Sequence, residues 1–182
     1  MISSCECAKI KINSSGGVSL YKVSLTGYRP QNLPFLSEND QQCEDLKSRI
    51  YTEIERLYAH GAEEYYTGMA LGVDIWCAEA VLHLKALHPE VKLIAVLPCR
   101  GQEKKWNPAD QRRYRWVLDR CDCVECLSEE YTRDCMFARN RALVEKCDLL
   151  VAVYDGKPGG TKHTVDLAAR FGKKIIVIPP TA

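Results

Sequence analysis

Apolar residues recur along this chain in two periods, as short runs of strand length and as stretches whose apolar positions return every three to four residues. Lys22–Thr26 reads as a strand ending at Gly27. Leu46, Ile50, Ile54, Leu57 and Tyr58 fall on one helical face that stops at His60 and Gly61. Glu63–Thr67 is a second strand, followed by the small residues of Gly68–Gly72. Val73, Trp76, Cys77, Ala80, Leu84 and Leu87 then line a second helix, which Pro89 closes. Val91–Leu97 is the third strand. A helix over 108–120, a short strand over 122–125 and a helix over 132–146 follow. Leu149–Tyr154 is a continuous apolar strand, Asp155–Gly160 turns into a helix ending at Phe171–Gly172, and Ile175–Ile178 is the last strand. Continuous apolar strands alternating with helices are what a parallel sheet covered on both faces requires. The pattern therefore predicts an α/β protein, a Rossmann-like three-layer sandwich with a mainly parallel sheet. One domain is expected over residues 19–182, preceded by a loose polar leader over residues 1–18 that ends in Ser14–Gly17. No internal repeat and no second domain is visible.

Composition narrows the function classes. The 182 residues carry 25 Lys and Arg against 24 Asp and Glu, a formal net charge of +1, with 46% hydrophobic residues. That balance supplies a buried core but no long-range field for polyanions, which disfavours a nucleic-acid coat protein or a basic membrane-surface module. The longest apolar runs are of strand length, so no bilayer-spanning segment is expected. Ten cysteines fall short of the density of a disulfide scaffold, and Met1–Gly17 has no secretory signal pattern, so a cytoplasmic protein with reduced thiols is expected. Cys121, Cys123 and Cys126, with Cys5 and Cys7, have thiolate-ligand spacing without a suitable His, and no metal site is assigned.

In a doubly wound sheet, ligands bind outside the carboxyl ends of the strands, and three of the loops there are glycine-rich. After the first strand come Thr26, Gly27 and Arg29; the glycine permits close approach of backbone to a ligand, and the arginine can hold a phosphate with two hydrogen bonds. After the second come Gly68, Gly72 and Asp74, small residues before a helix start with a carboxylate that can cap the helix or accept from a ribose hydroxyl. After the fifth come Asp155, Gly159, Gly160 and Thr161, again at a helix start. Arg139, Asn140 and Arg141 add two cations and an amide that can clamp an anion, or form a solvated helix face. Lys104–Trp116 interleaves basic and aromatic residues, a composition for stacking bases or for a half-buried helix over the sheet. The four histidines are scattered. Cys99, at a strand end, is a thiol in nucleophile position without a paired His in the nearby sequence.

Taken in order, Thr26–Arg29, Thr67–Trp76, Gln102 with Lys105 and Trp106, Phe137 with Arg139–Arg141, and Tyr154–Gly156 with Gly159–Thr161 resemble the YpsA-like branch of the SLOG superfamily, related to the DNA-processing protein A and Lonely Guy families. The resemblance spans Lys22 to Pro179. It implies a Rossmann-like fold holding a nucleotide or nucleotide-derived ligand, such as ADP-ribose or an NAD-related molecule, at the glycine-rich loops as a sensor or regulatory module. It also implies homo-oligomerisation. The Lonely Guy motif PGGxGTxxE is similar to Pro158–Thr161, but Thr164 stands where that family has its Glu, and Asp166 lies about 200° further round a helix. A phosphoribohydrolase-like N-glycosidic activity, with Asp74 or Asp166 as carboxylate, is the alternative, and single-stranded DNA binding is the next.

Overall fold

Packing of the apolar runs against one another explains the architecture of the computed structural model, which describes residues 21–181. Strands β1 (Tyr21–Thr26), β2 (Ala62–Thr67), β3 (Lys92–Leu97), β4 (Cys123–Cys126), β5 (Leu149–Val153) and β6 (Lys174–Ile178) alternate with helices α1 (Gln41–Ala59), α2 (Val73–Leu87), α3 (Pro108–Leu118), α4 (Cys135–Lys146) and α5 (Gly160–Arg170). The strands form one sheet in the order β4-β3-β2-β1-β5-β6, and every pair is parallel. Val23 lies opposite Tyr65 on one side and Leu149 on the other. The two-residue period of the strands then divides the core. Val23, Leu25, Tyr65, Leu93, Ala95 and Val151 face α1, α2 and α3, whereas Tyr66, Ile94, Val96, Leu150 and Ala152 face α4 and α5. This is the expected three-layer sandwich.

Several boundaries shift by one to three residues from the sequence pattern, and three of the shifts have a visible local cause. The α3 helix stops at Leu118, because Arg120 and Cys121 turn their N–H groups back to Val117 and Leu118. Asp122, read as the start of β4, instead ties β3 from outside: its N–H donates to the Leu93 carbonyl at 2.8 Å, and its carboxylate accepts from the Leu93 N–H at 2.9 Å. The α4 helix begins at Cys135, three residues later than expected, since the Cys135 N–H closes a turn onto Thr132. A short 3-10 turn at Pro30–Asn32 leads toward α1 and has no counterpart in the sequence pattern. The polar leader over residues 1–18 lies outside the described residues.

Close approach of β1 to α2 needs a residue without a side chain. A Cβ on Gly27 would lie 2.4 Å from Val73 Cγ1 and 3.0 Å from Val153 Cβ. Gly27→Ala is therefore expected to destabilise the fold by about 1–3 kcal/mol, through overpacking that Val73 cannot relieve without moving the helix. Urea unfolding checks this as a lower midpoint at an unchanged m-value.

Candidate ligand-binding crevice

The chain leaves β1 toward β2 on one side of the sheet, and leaves β5 toward β6 on the other, so the strand order reverses between β1 and β5. At such a switch point the two following loops splay apart and leave a crevice. Here side chains tie the loops across its base. The buried Tyr28 donates its hydroxyl to Asp155 Oδ1 at 2.5 Å and accepts from the Asp155 N–H at 3.4 Å, and the Thr161 hydroxyl donates to the Gly27 carbonyl at 3.0 Å. Above these ties opens a cleft of about 290 Å³ lined by Tyr28, Gln31, Asn32, Leu33, Lys157 and Pro158. A larger groove of about 500 Å³ between α1 and α2, lined by residues including Lys47, Tyr51 and His83, lies away from the strand ends and gathers none of the predicted site residues.

The start of α5 borders the cleft. Gly159 holds φ +150°, a conformation that side-chain-bearing residues rarely adopt, and apart from adjoining backbone nothing among the described residues lies within 4 Å of where a Cβ would stand on Gly159 or Gly160. The first N–H groups of a helix have no partner within the helix, so this is an open, amide-rich edge. Asp155 accepts from the Lys157 N–H at 3.2 Å and pairs with Lys157 Nζ at 2.6 Å. The lysine and the Tyr28 hydroxyl together hold its carboxyl down at about 2. Thr164, at the position of the Lonely Guy glutamate, is fully buried with its hydroxyl donating to the Gly160 carbonyl at 3.0 Å, and Asp166 is paired with Lys162 at 2.6 Å.

The turn between β2 and α2 is closed by contrast. Arg139 reaches in from α4 and lies over Gly68, where a Cβ would fall 1.4 Å from its Nη1. That nitrogen donates to Asp74 Oδ2 at 3.0 Å, and the same oxygen accepts from the Ala70 N–H at 3.2 Å. The ion pair is buried, with Asp74 3% and Arg139 6% exposed, and Arg139 Nε has no hydrogen-bond partner among the described residues. Burial pushes the Asp74 carboxyl up, while Arg139, the Ala70 N–H and the more distant Arg29 pull it down. Gly72, at φ +87°, sits against the Tyr28 carbonyl, which accepts from the Val73 N–H at 3.2 Å. The side chain of Gln102 covers the turn from the β3 loop, donating to the Met69 carbonyl at 3.2 Å.

Of the predicted site residues, the structure brings Thr26, Gly27, Asp155, Gly159, Gly160 and Thr161 together around the crevice. Gly68, Gly72, Asp74 and Arg139 form the adjoining closed turn. Arg29 is exposed beside it, and its side chain makes no hydrogen bond to a described residue. Asn140 is 9% exposed, also without a hydrogen-bonded side-chain partner among the described residues, and Arg141 pairs with Glu145 at 2.7 Å. Tyr28 and Lys157 enter the lining from within the glycine-rich loops, without having been named as site residues, and Gln31 and Asn32 enter it from outside every motif. The only local signal of Gln31 and Asn32 is a polar stretch between a strand end and the next helix. Tyr114 of the basic-aromatic stretch is buried against Trp106, and Cys99 is buried, which pushes its thiol up. Among the described residues, no three His, Cys, Asp or Glu side chains gather as a metal site, and no helix is long and apolar enough to cross a membrane.

A parallel sheet in this order, with glycine-rich turns beside its switch point, defines a doubly wound Rossmann-like protein. The chain belongs to the YspA SLOG family, whose sequence model matches residues 23–175, as the motif resemblance implied. It is 30% identical over 151 residues to a UPF0398 protein of Halalkalibacterium halodurans, covering 81% of this chain and 80% of that one. A UPF0398 protein of Bacillus cereus is 29% identical over 154 residues, covering 83% and 84%. Among solved structures, DNA processing protein A from Helicobacter pylori matches with a TM-score of 0.59 at 20% identity over 87% of this chain. The Streptococcus pneumoniae protein matches with a TM-score of 0.57 at 20% identity over 88%. The chain spans only 65% and 50% of those two structures, and the likeness to them is one of fold.

Two outcomes follow from this geometry. Arg139→Met strands the buried Asp74 carboxylate and is expected to cost about 3–5 kcal/mol in chemical denaturation, part of which Asp74→Asn in the same chain restores. In an NMR titration the Asp155 carboxyl is expected to show a midpoint of about 2, which Lys157→Met moves up toward the ordinary carboxylate range. The sign is that of a depressed carboxylate: whatever this link adds to stability is present above the ordinary carboxyl range and is lost as pH falls toward 2.

Proposed function

We propose that the chain binds a nucleotide or nucleotide-derived ligand of the ADP-ribose or NAD kind at the β1/β5 crevice and acts as a sensor or regulatory module. The observation that carries this reading is the open start of α5 at Gly159 and Gly160 beside the 290 Å³ cleft. Unpartnered helix N–H groups and the helix dipole favour a phosphate there, and the cleft adjoins it with room for a sugar-sized group. A binding role is favoured over N-glycosidic hydrolysis because both candidate carboxylates are engaged, Asp74 by Arg139 and Asp166 by Lys162. The work on the Helicobacter protein concerns its binding of single-stranded DNA. A backbone-tracking groove needs surplus cations. Of the cations around these strand ends, Arg100, Lys157 and Lys162 are each paired with a carboxylate, of Glu129, Asp155 and Asp166, and Arg29 beside the crevice has no carboxylate within ion-pair distance among the described residues, which suits a phosphate of a small ligand. The cysteines described are all unpaired, which supports placement in a reducing, cytoplasmic setting.

Thermal unfolding against ADP-ribose, NAD, AMP and an oligo(dT) strand tests the reading. At one hundred times its Kd a nucleotide stabilises by about 2.7 kcal/mol and raises Tm by several degrees. Gly160→Glu places a carboxylate in the open space at the helix start, leaves the unliganded fold intact, and is expected to abolish the nucleotide shift. Absence of any shift at millimolar nucleotide, or a full shift in Gly160→Glu, overturns the proposal. A shift with oligo(dT) alone replaces it with DNA binding.

A further inference from the structure

Two cysteines from distant parts of the chain are brought together at the strand-end edge. Helix α4 descends across the sheet while β3 climbs, and Leu143 of the one packs with Ile94 and Val96 of the other. From that level Cys135, the first residue of α4, stands about 12 Å up the helix axis, and Cys99, beyond the end of β3, stands about 10 Å up the strand direction. Both therefore arrive at one height, and their thiols lie within hydrogen-bonding reach of each other. Each is buried, Cys99 at 1% and Cys135 at 4% exposure.

The chain that leads into Cys135 is lightly held. From Ser128 to Asp134 it is mostly exposed. The Arg100 N–H donates to the Ser128 carbonyl at 3.1 Å, and the Cys135 N–H closes the turn onto Thr132 at 3.3 Å. The ion pair of Arg100 with Glu129 has its two side chains 71% and 75% exposed, and a pair so open to water adds little. Such a segment belongs to the low-stability end of a fold and opens locally while the sheet stays intact. Burial pushes the Cys99 thiol up, so the pair is inert in the closed fold and reacts through this opening.

We infer that Cys99 and Cys135 form a reversible oxidation site, which closes to a disulfide on reaction with a small-molecule disulfide of the glutathione kind. One protein thiolate attacks the oxidant, forming a mixed disulfide and releasing one small thiol. The other thiolate then attacks the protein sulfur of that mixed disulfide and displaces the second small thiol. Two protein thiols are thereby oxidised, one small-molecule disulfide is reduced, and the protons lost by Cys99 and Cys135 end on the two released thiols. The new bond ties the exit of β3 to the start of α4, one turn before the Arg139 of the buried ion pair. In a reducing setting the bond is transient, the behaviour of a redox-sensing pair. No nucleotide takes part.

Incubation of the full chain with millimolar oxidised glutathione, alkylation of the remaining thiols and trypsin digestion test this. Cleavage after Lys92, Arg100, Arg133 and Arg139 leaves Cys99 alone in peptide 93–100 and Cys135 alone in peptide 134–139. Mass spectrometry is expected to find these two peptides joined, and to find them separate after dithiothreitol. Because a disulfide restricts the denatured chain, oxidation is also expected to raise the urea midpoint, a rise that Cys99→Ser and Cys135→Ser abolish. The linkage is read in the unaltered chain, so it decides the matter even where a serine variant does not fold. Absence of the joined peptides, their formation only in urea-unfolded protein, or an equal rise of the midpoint in both serine variants overturns the proposal.

Discussion

The buried pair of Asp74 and Arg139 is the constraint on which the strand-end edge depends. Charges this deeply buried are held only when each is matched, and here one carboxylate oxygen takes both the guanidinium and the Ala70 N–H. The pair joins the first turn of α2 on one face of the sheet to α4 on the other, passing over Gly68 at the end of β2. Everything nearby is fitted to that bridge. Gly68 leaves room for the guanidinium, Gly72 brings the start of α2 under the Tyr28 carbonyl, and Gln102 closes the turn from above. The loop that most resembles a phosphate cradle in sequence is thus an internal clasp, and the exposed amides belong to the loop after β5.

This division has a topological origin. Successive crossovers from β1 to β4 place α1, α2 and α3 on one face, and the return from β4 to β5 carries α4 across the opposite face before α5. The α4 helix therefore touches both halves of the sheet. One of its stripes completes the clasp at β2, and its neighbouring stripe packs toward β5 and α5. Two adjacent residues, Arg139 and Asn140, serve unrelated surroundings because a helix turns about 100° between them.

Much of this was legible in the chain itself. The central strands and the helices between them follow from hydrophobic period because the middle of the sheet, buried on both faces, has little polar alternation to blur it, whereas the edge strand β4 is mostly exposed. Boundaries shifted where a side chain or a turn competed with the regular element, as at Asp122, whose carboxylate binds β3 from beyond the strand end, and at Thr132, which closes a turn instead of starting α4. The site residues were legible as a set, but their division of labour was not. Nothing local in the sequence marks Asp74 and Arg139, 65 positions apart, as partners, since burial decides whether a motif arginine faces a ligand or a neighbour. Gln31 and Asn32 carried no motif and Tyr28 stood inside the Thr26–Arg29 motif without a role of its own, and only the packing of the β1 loop against the β5 loop makes them walls.

The open space around Gly159 and Gly160 has a consequence for divergence within the family. Residues 156–160 form a loop whose side chains, where present, lie outside the core clusters, so substitutions there leave the buried packing untouched. The turn from Thr67 to Asp74 has less latitude, because Thr67, Gly68, Gly72 and Asp74 are each fitted to a neighbouring group. Selection can therefore retune the rim of the crevice one residue at a time while the clasp is inherited whole, which lets one scaffold explore new ligands without first losing its fold.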